Sequence, residues 1–152
     1  MTASRNYYAF DIAPTFWERL AQLASDGGIL SIDRVLNALN RGNDELKEWA
    51  NKAFINSFAS TDEPNVIQSF GQMMQWVEGQ DFTVAAKAEF ADAKNADGWL
   101  VAYAKANGLV VVTNETLEKE RINKVKIPNV FQAFNVPYIH TFQMLRALGI
   151  KL

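Results

Sequence analysis

The sequence predicts an α/β protein built on a parallel sheet, and two observations carry that prediction. Short apolar runs bounded by turn formers recur at 29–32 ("ILSI"), 109–113 ("LVVVT") and 136–141 ("VPYIHT"). Between them lie longer segments with apolar residues at helical spacing. Strands that alternate with helices favour parallel pairing, with helices on both faces of the sheet. The 152 residues fit a single domain, 1–152. They are enough to bury a core without staples.

Each element has its own signal. "NYYAFDIA" is aromatic and apolar up to Asp11, and Pro14 opens a helix with Phe16, Trp17, Leu20, Leu23 and Ala24 on one side. Gly27 and Gly28 end that helix. After the "ILSI" strand, Ser31 or Asp33 caps a helix whose inner face carries Val35, Leu36 and Leu39. "RGNDELKEWA" starts another, with Asn43 as N-cap and Asp44 and Glu45 in the first turn, where the helix dipole favours acids. "FINSFASTDEPN" holds a short strand and a loop that ends at Pro64. Amphipathic helix 64–78 follows, then alanine-rich "FTVAAKAEFADAK" as a helix. Helix 96–106, strand 109–113, a charged loop "ETLEKERINKVKI", a helix from Pro128 through Phe134, strand "VPYIHT" and helix 141–148 complete the chain.

Composition narrows the function. The apolar fraction is 49% and the charged fraction 21%, an ordinary globular balance. With a net charge of −2, any nucleic-acid site must be a local patch. The chain has no cysteine, which excludes disulfides, thiol catalysis and cysteine metal sites. No apolar run has the length of a membrane span, and "MTASRNYYAF" lacks the apolar core of a signal peptide. The expectation is a soluble cytoplasmic protein with no membrane partner.

Parallel sheets place ligands at the carboxyl ends of their strands. Glu115 lies two residues past "LVVVT", and Asp97 opens the preceding helix. The two carboxylates can therefore face one edge of the sheet, where a hard ion such as Mg²⁺ or Mn²⁺ would suit them. The competing reading makes Asp97 a helix cap and Glu115 a solvated residue. Lys119, Arg121, Lys124 and Lys126 form a basic cluster beside Glu115 that could hold an RNA backbone. Interleaved Glu118 and Glu120 weaken that reading, and a solvated loop stands as its equal alternative. Phe70, Trp76, Phe82 and Phe90, with Met73 and Met74, read as core rather than as a base-stacking platform. His140 is the only histidine, so no histidine metal cluster is available and a structural or exposed role fits it best.

Taken together, "FDIAPTFWERLAQLASDGGILSIDRVLNALNRGNDELKEWA", "ADGWLVAYAKANGLVVVTNE" and "KVKIPNVFQAFNVPYIHTFQMLRALGI" resemble the DUF4411 group of PIN-like proteins, in the same order and over nearly the whole chain. The resemblance implies a three-layer PIN-like fold and a metal-dependent endoribonuclease (a hydrolase) of toxin–antitoxin type. It also implies Mg²⁺ or Mn²⁺ as cofactor, RNA as substrate, an antitoxin protein as partner and a homodimer. By resemblance, Asp97 and Glu115 are metal-binding, catalytic acids, and Thr113 lines the same edge and orients a water or a carboxylate. The chain departs from the family pattern twice. An early strand ending in an aspartate is expected to be missing, with Asp11 as a candidate substitute metal ligand. Asn37 and Ala38 stand where a helical glutamate is expected. Weak metal binding and weak or absent hydrolysis follow, and the alternative is a non-catalytic domain that binds RNA, an antitoxin or itself. A missing strand also predicts an open sheet edge, filled by residues 5–10, a neighbouring chain or a partner peptide.

Overall fold

The computed structural model describes residues 8–152. Their chain divides into two compact units, residues 1–59 with 150–152, and residues 60–149.

In the first unit, Pro14 supplies a preset φ at the first position of helix α1 (Pro14–Ser25). Gly27, at φ 77°, follows its end. Strand β1 (Ser31–Ile32) leads directly into α2 (Asp33–Asn40), where the Asp33 carboxylate accepts the Arg34 amide. Asp44, one residue later than the sequence predicts, caps α3 (Glu45–Ala53) by accepting the Lys47 amide at 3.1 Å. A short 3-10 turn at Ile55–Ser57 carries the chain into β2 (Phe58–Ala59), which pairs in parallel with β1. Aromatic rings hold this unit together: Trp17 lies against Phe10 at 4.3 Å and Trp49 at 4.9 Å, and Tyr8 stacks on Phe16 at 4.0 Å. The Trp17 indole N–H donates to the Tyr8 carbonyl at 2.8 Å.

The second unit is built around α4 (Pro64–Glu78) and α6 (Asp97–Asn107), with α5 (Val84–Ala91) beside them. Strand β3 (Val111–Val112) pairs in parallel with β4 (Tyr138–Ile139). Helix α7 (Ile127–Phe134) lies on α6, and α8 (Thr141–Ala147) follows β4. Val66, Met73, Val101, Ala102, Val130 and Phe131 are fully buried and form the centre of the core. Phe90 is buried too, while Phe70, Met74, Trp76 and Phe82 pack around the core. These aromatics are core, as the sequence predicts. Gly98 is needed where α6 meets its neighbours: a Cβ there would stand 3.1 Å from Phe70 and 3.3 Å from both Met74 and Phe90. Phe70 is itself stacked on Trp99 at 3.9 Å and has little room to yield.

The mixed α/β class with parallel strands agrees with the sequence. The strands are shorter than their apolar runs, two residues each, because each ladder is limited by an equally short partner. "YYAFD" forms no strand among the described residues; Phe10–Ile12 is a turn closed by bonds from the Ile12 and Ala13 amides to the Ala9 carbonyl. Residues 5–7, expected to fill an open sheet edge, lie outside the described residues, and residues 8–10 join no ladder. No helix among the described residues is long and apolar enough to cross a membrane.

A candidate carboxylate site at the exit of strand β3

The exit of β3 is locked before it delivers Glu115. The Thr113 amide donates to the Ile139 carbonyl at 3.0 Å, continuing the parallel ladder by one residue. The Thr113 hydroxyl then accepts the Glu115 amide at 3.1 Å, a local turn that serine and threonine form readily. From β4, the His140 Nδ1 lies 3.0 Å from the Thr113 carbonyl. A carbonyl only accepts, so Nδ1 carries the proton in this contact. The Asn114 side-chain oxygen accepts from both the amide and the hydroxyl of Thr141, at 3.3 and 3.1 Å. Four consecutive positions, 112 to 115, are thus tied to β4, to the start of α8 or to one another. Thr113 orients the backbone of Glu115, and His140 has a structural role, as its isolation in the sequence predicts.

Asp97 arrives from the other side, in the first turn of α6, where the dipole favours its charge. Its amide donates to the Asn95 side-chain oxygen at 3.0 Å; the N-cap is Ala96, and Asp97 is the first residue of the helix rather than its cap. The Asp97 carboxyl is half-buried, and its pKa is raised, first by loss of water and next by the negative charge of Glu115. Lys124 offsets part of this with its positive charge, and Glu89 adds to it. The charge of Glu115 thus reaches Asp97. Glu115 in turn holds one carboxylate oxygen, Oε2, away from solvent with no hydrogen-bond partner. A buried acceptor without a donor costs about 1–3 kcal/mol.

The basic cluster divides. Arg121 bonds to the Glu118 carboxylate at 3.1 Å and Lys126 to its other oxygen at 3.4 Å. The hydrogen bond from Arg121 and then that from Lys126 hold the Glu118 pKa below its usual value. Arg121 and Lys126 thus brace the loop. Lys124 is the member of the cluster whose charge reaches Asp97. Lys119 is exposed. Asp11 is exposed in its turn in the first unit, and Ala38 lies on α2.

Among the described residues no three side chains of the His, Cys, Asp and Glu types gather as a metal-binding group. Near the exit of β3 two carboxylates, Asp97 and Glu115, come within electrostatic reach. They fit a divalent cation in two respects: burial and the charge of Glu115 disfavour the ionised state of Asp97, and one Glu115 oxygen lacks a donor. A bound cation would relieve both.

The class that the fold defines is a mixed α/β protein with parallel strand pairs. The chain belongs to the DUF4411 family, described as a domain of unknown function, which matches residues 1–152. No curated protein and no solved structure matches the chain significantly.

Proposed function

We propose that this protein is a PIN-like, Mg²⁺- or Mn²⁺-dependent endoribonuclease domain of toxin–antitoxin type, weakened where Asn37 and Ala38 replace an expected glutamate. The observation that carries this reading is the Asp97–Glu115 pair, with a buried carboxylate oxygen that has no donor. The resemblance to PIN-like proteins supplies the reaction class, phosphodiester hydrolysis in RNA, along with the three-layer fold, the antitoxin and the homodimer.

Asp97 and Glu115 would hold the cation, and Thr113 keeps Glu115 in place. A bound Mg²⁺ or Mn²⁺ would activate water and steady phosphate oxygens. Lys124, beside Asp97, would neutralise part of the charge of an entering phosphate. Lys119 would extend that contact along the backbone, while Arg121 and Lys126 would act mainly through the fold of the loop. Two carboxylates give weak affinity, because Mg²⁺ retains much of its water and relies on added negative ligands.

Among the described residues no third acid gathers with the pair, which favours a second reading, a domain that binds RNA or a protein partner without cutting. Incubation of end-labelled single-stranded RNA with Mn²⁺ separates the two. The proposal expects slow cleavage by the wild type that EDTA and the Asp97→Ala, Glu115→Ala double variant each abolish. Cleavage that persists in the double variant would exclude these acids as the site.

A further inference from the structure

The β3–β4 pair has one guarded edge and one open edge. The Val111 and Thr113 amides donate to the Pro137 and Ile139 carbonyls, each at 3.0 Å. Alternate residues of a strand turn their backbone groups to opposite edges, so those of Val110, Val112 and Asn114 face away from β4. Among the described residues no third strand takes them up. The outer edge of β4 differs: the His140 amide, which faces outward there, donates to Gln143 Oε1 of α8 at 2.8 Å. The side chains of β3 show the same openness. Val111 is 5% exposed, while Val110 and Val112, on the opposite face of the strand, are 51% and 39% exposed.

Edge strands are ordinarily protected from other chains by a charge, a proline or a bulge. "GLVVVTN", residues 108–114, carries neither a charge nor a proline. Its charge pattern fits a second copy of itself. In an antiparallel pairing centred on Val112, Val112 stands opposite its own counterpart and Val110 opposite Asn114. Each outward-facing residue then meets another outward-facing residue, and each such pair can exchange both of its backbone bonds. No like charges are opposed: Glu115, the first charged residue after the strand, falls opposite Leu109. The exposed valines of the two copies lie on one face and cover one another, as β-branched cross-strand neighbours do. A twofold arrangement satisfies both open edges at once.

We infer that β3 is a self-association surface, on which a second copy of the chain docks its own β3 antiparallel, centred on Val112. Two β3–β4 pairs then form one continuous sheet. The inference rests on the reading above only for its homodimer, to which it gives a surface. It draws on neither the cation nor RNA.

Sedimentation velocity of the full chain over a concentration series tests it, with Val112→Lys, Val112→Asp and an equimolar mixture of the two. The Val112 side chain is on the exposed face and its backbone groups do not bond to β4, so both variants are expected to fold, as circular dichroism would check. The wild type is expected to dimerise. Each variant sets like charges directly opposite one another across the twofold axis and is expected to dimerise about tenfold or more weakly. The mixture is expected to recover the dimer, because lysine then faces aspartate. A dimer that both variants leave intact would overturn the inference, while a homodimer through another surface stands. Variants that weaken the dimer without recovery in the mixture would overturn the Val112-centred pairing. A wild type that stays monomeric throughout would overturn both the inference and the homodimer.

Discussion

The two units place their polar atoms differently. In the first, the buried indole of Trp17 has its N–H matched to the Tyr8 carbonyl, and its ring is enclosed by Phe10, Phe16 and Trp49. The side chains there serve packing. In the second, an equally well-buried core of valines, Met73 and Phe131 supports a loop in which Glu115 Oε2 and Asn129 Oδ1 have no donor. Folding rarely leaves such atoms unmatched, since each costs about 1–3 kcal/mol. The described aromatic contacts of the first unit serve packing, and the second carries the Asp97–Glu115 pair on which the proposed site rests.

The largest effect expected from this contrast lies in the first unit. Trp17→Ala removes a buried indole together with its hydrogen bond and ring contacts. It is expected to cost about 3–5 kcal/mol, read by urea denaturation. A loss below about 1 kcal/mol would mean that the aromatic cluster is not what stabilises this unit.

A smaller and opposite effect is expected at the site. The folded-state pKa of Asp97 lies above its ordinary value, with burial as the main cause and Glu115 next. The ionised carboxylate therefore costs the folded protein stability. That cost is absent below the ordinary carboxylate range, grows as pH rises through the folded-state pKa, and is complete above it. Lys124 reduces the cost and Glu89 increases it. Without metal, Asp97→Asn is expected to melt above the wild type at pH 7, and the gap should close on acidification below the carboxylate range. A variant less stable than the wild type by the same margin at every pH would make Asp97 an ordinary cap and remove the contrast between the units.

Much of the fold was legible because its signals are local. Pro14, Pro64 and Pro128 each mark a helix start, and Gly27 and Gly108 sit in left-handed conformations where helices end. Strand lengths were not legible, since a ladder extends only as far as its partner, and "LVVVT" meets a partner of two residues. The cap of α3 shifted from Asn43 to Asp44 because adjacent polar residues carry nearly the same capping signal.

The site was legible in part for the same reason. Asp97 and Glu115 stand at fixed offsets from a helix start and a strand end, so the fold class alone brings them near one edge. Lys124 and Asn114 depend on how the 115–126 loop folds back, and no periodicity encodes that path. The division of the basic cluster, with Arg121 and Lys126 on Glu118 and Lys124 toward Asp97, likewise emerges only from the folded loop.

The most direct test of the account is a calorimetric titration of Mn²⁺ into the wild type and the Asp97→Ala, Glu115→Ala double variant at pH 7. The account predicts weak, saturable binding of about one ion to the wild type and none to the double variant. Equal binding by both proteins, or no binding by either, would contradict it.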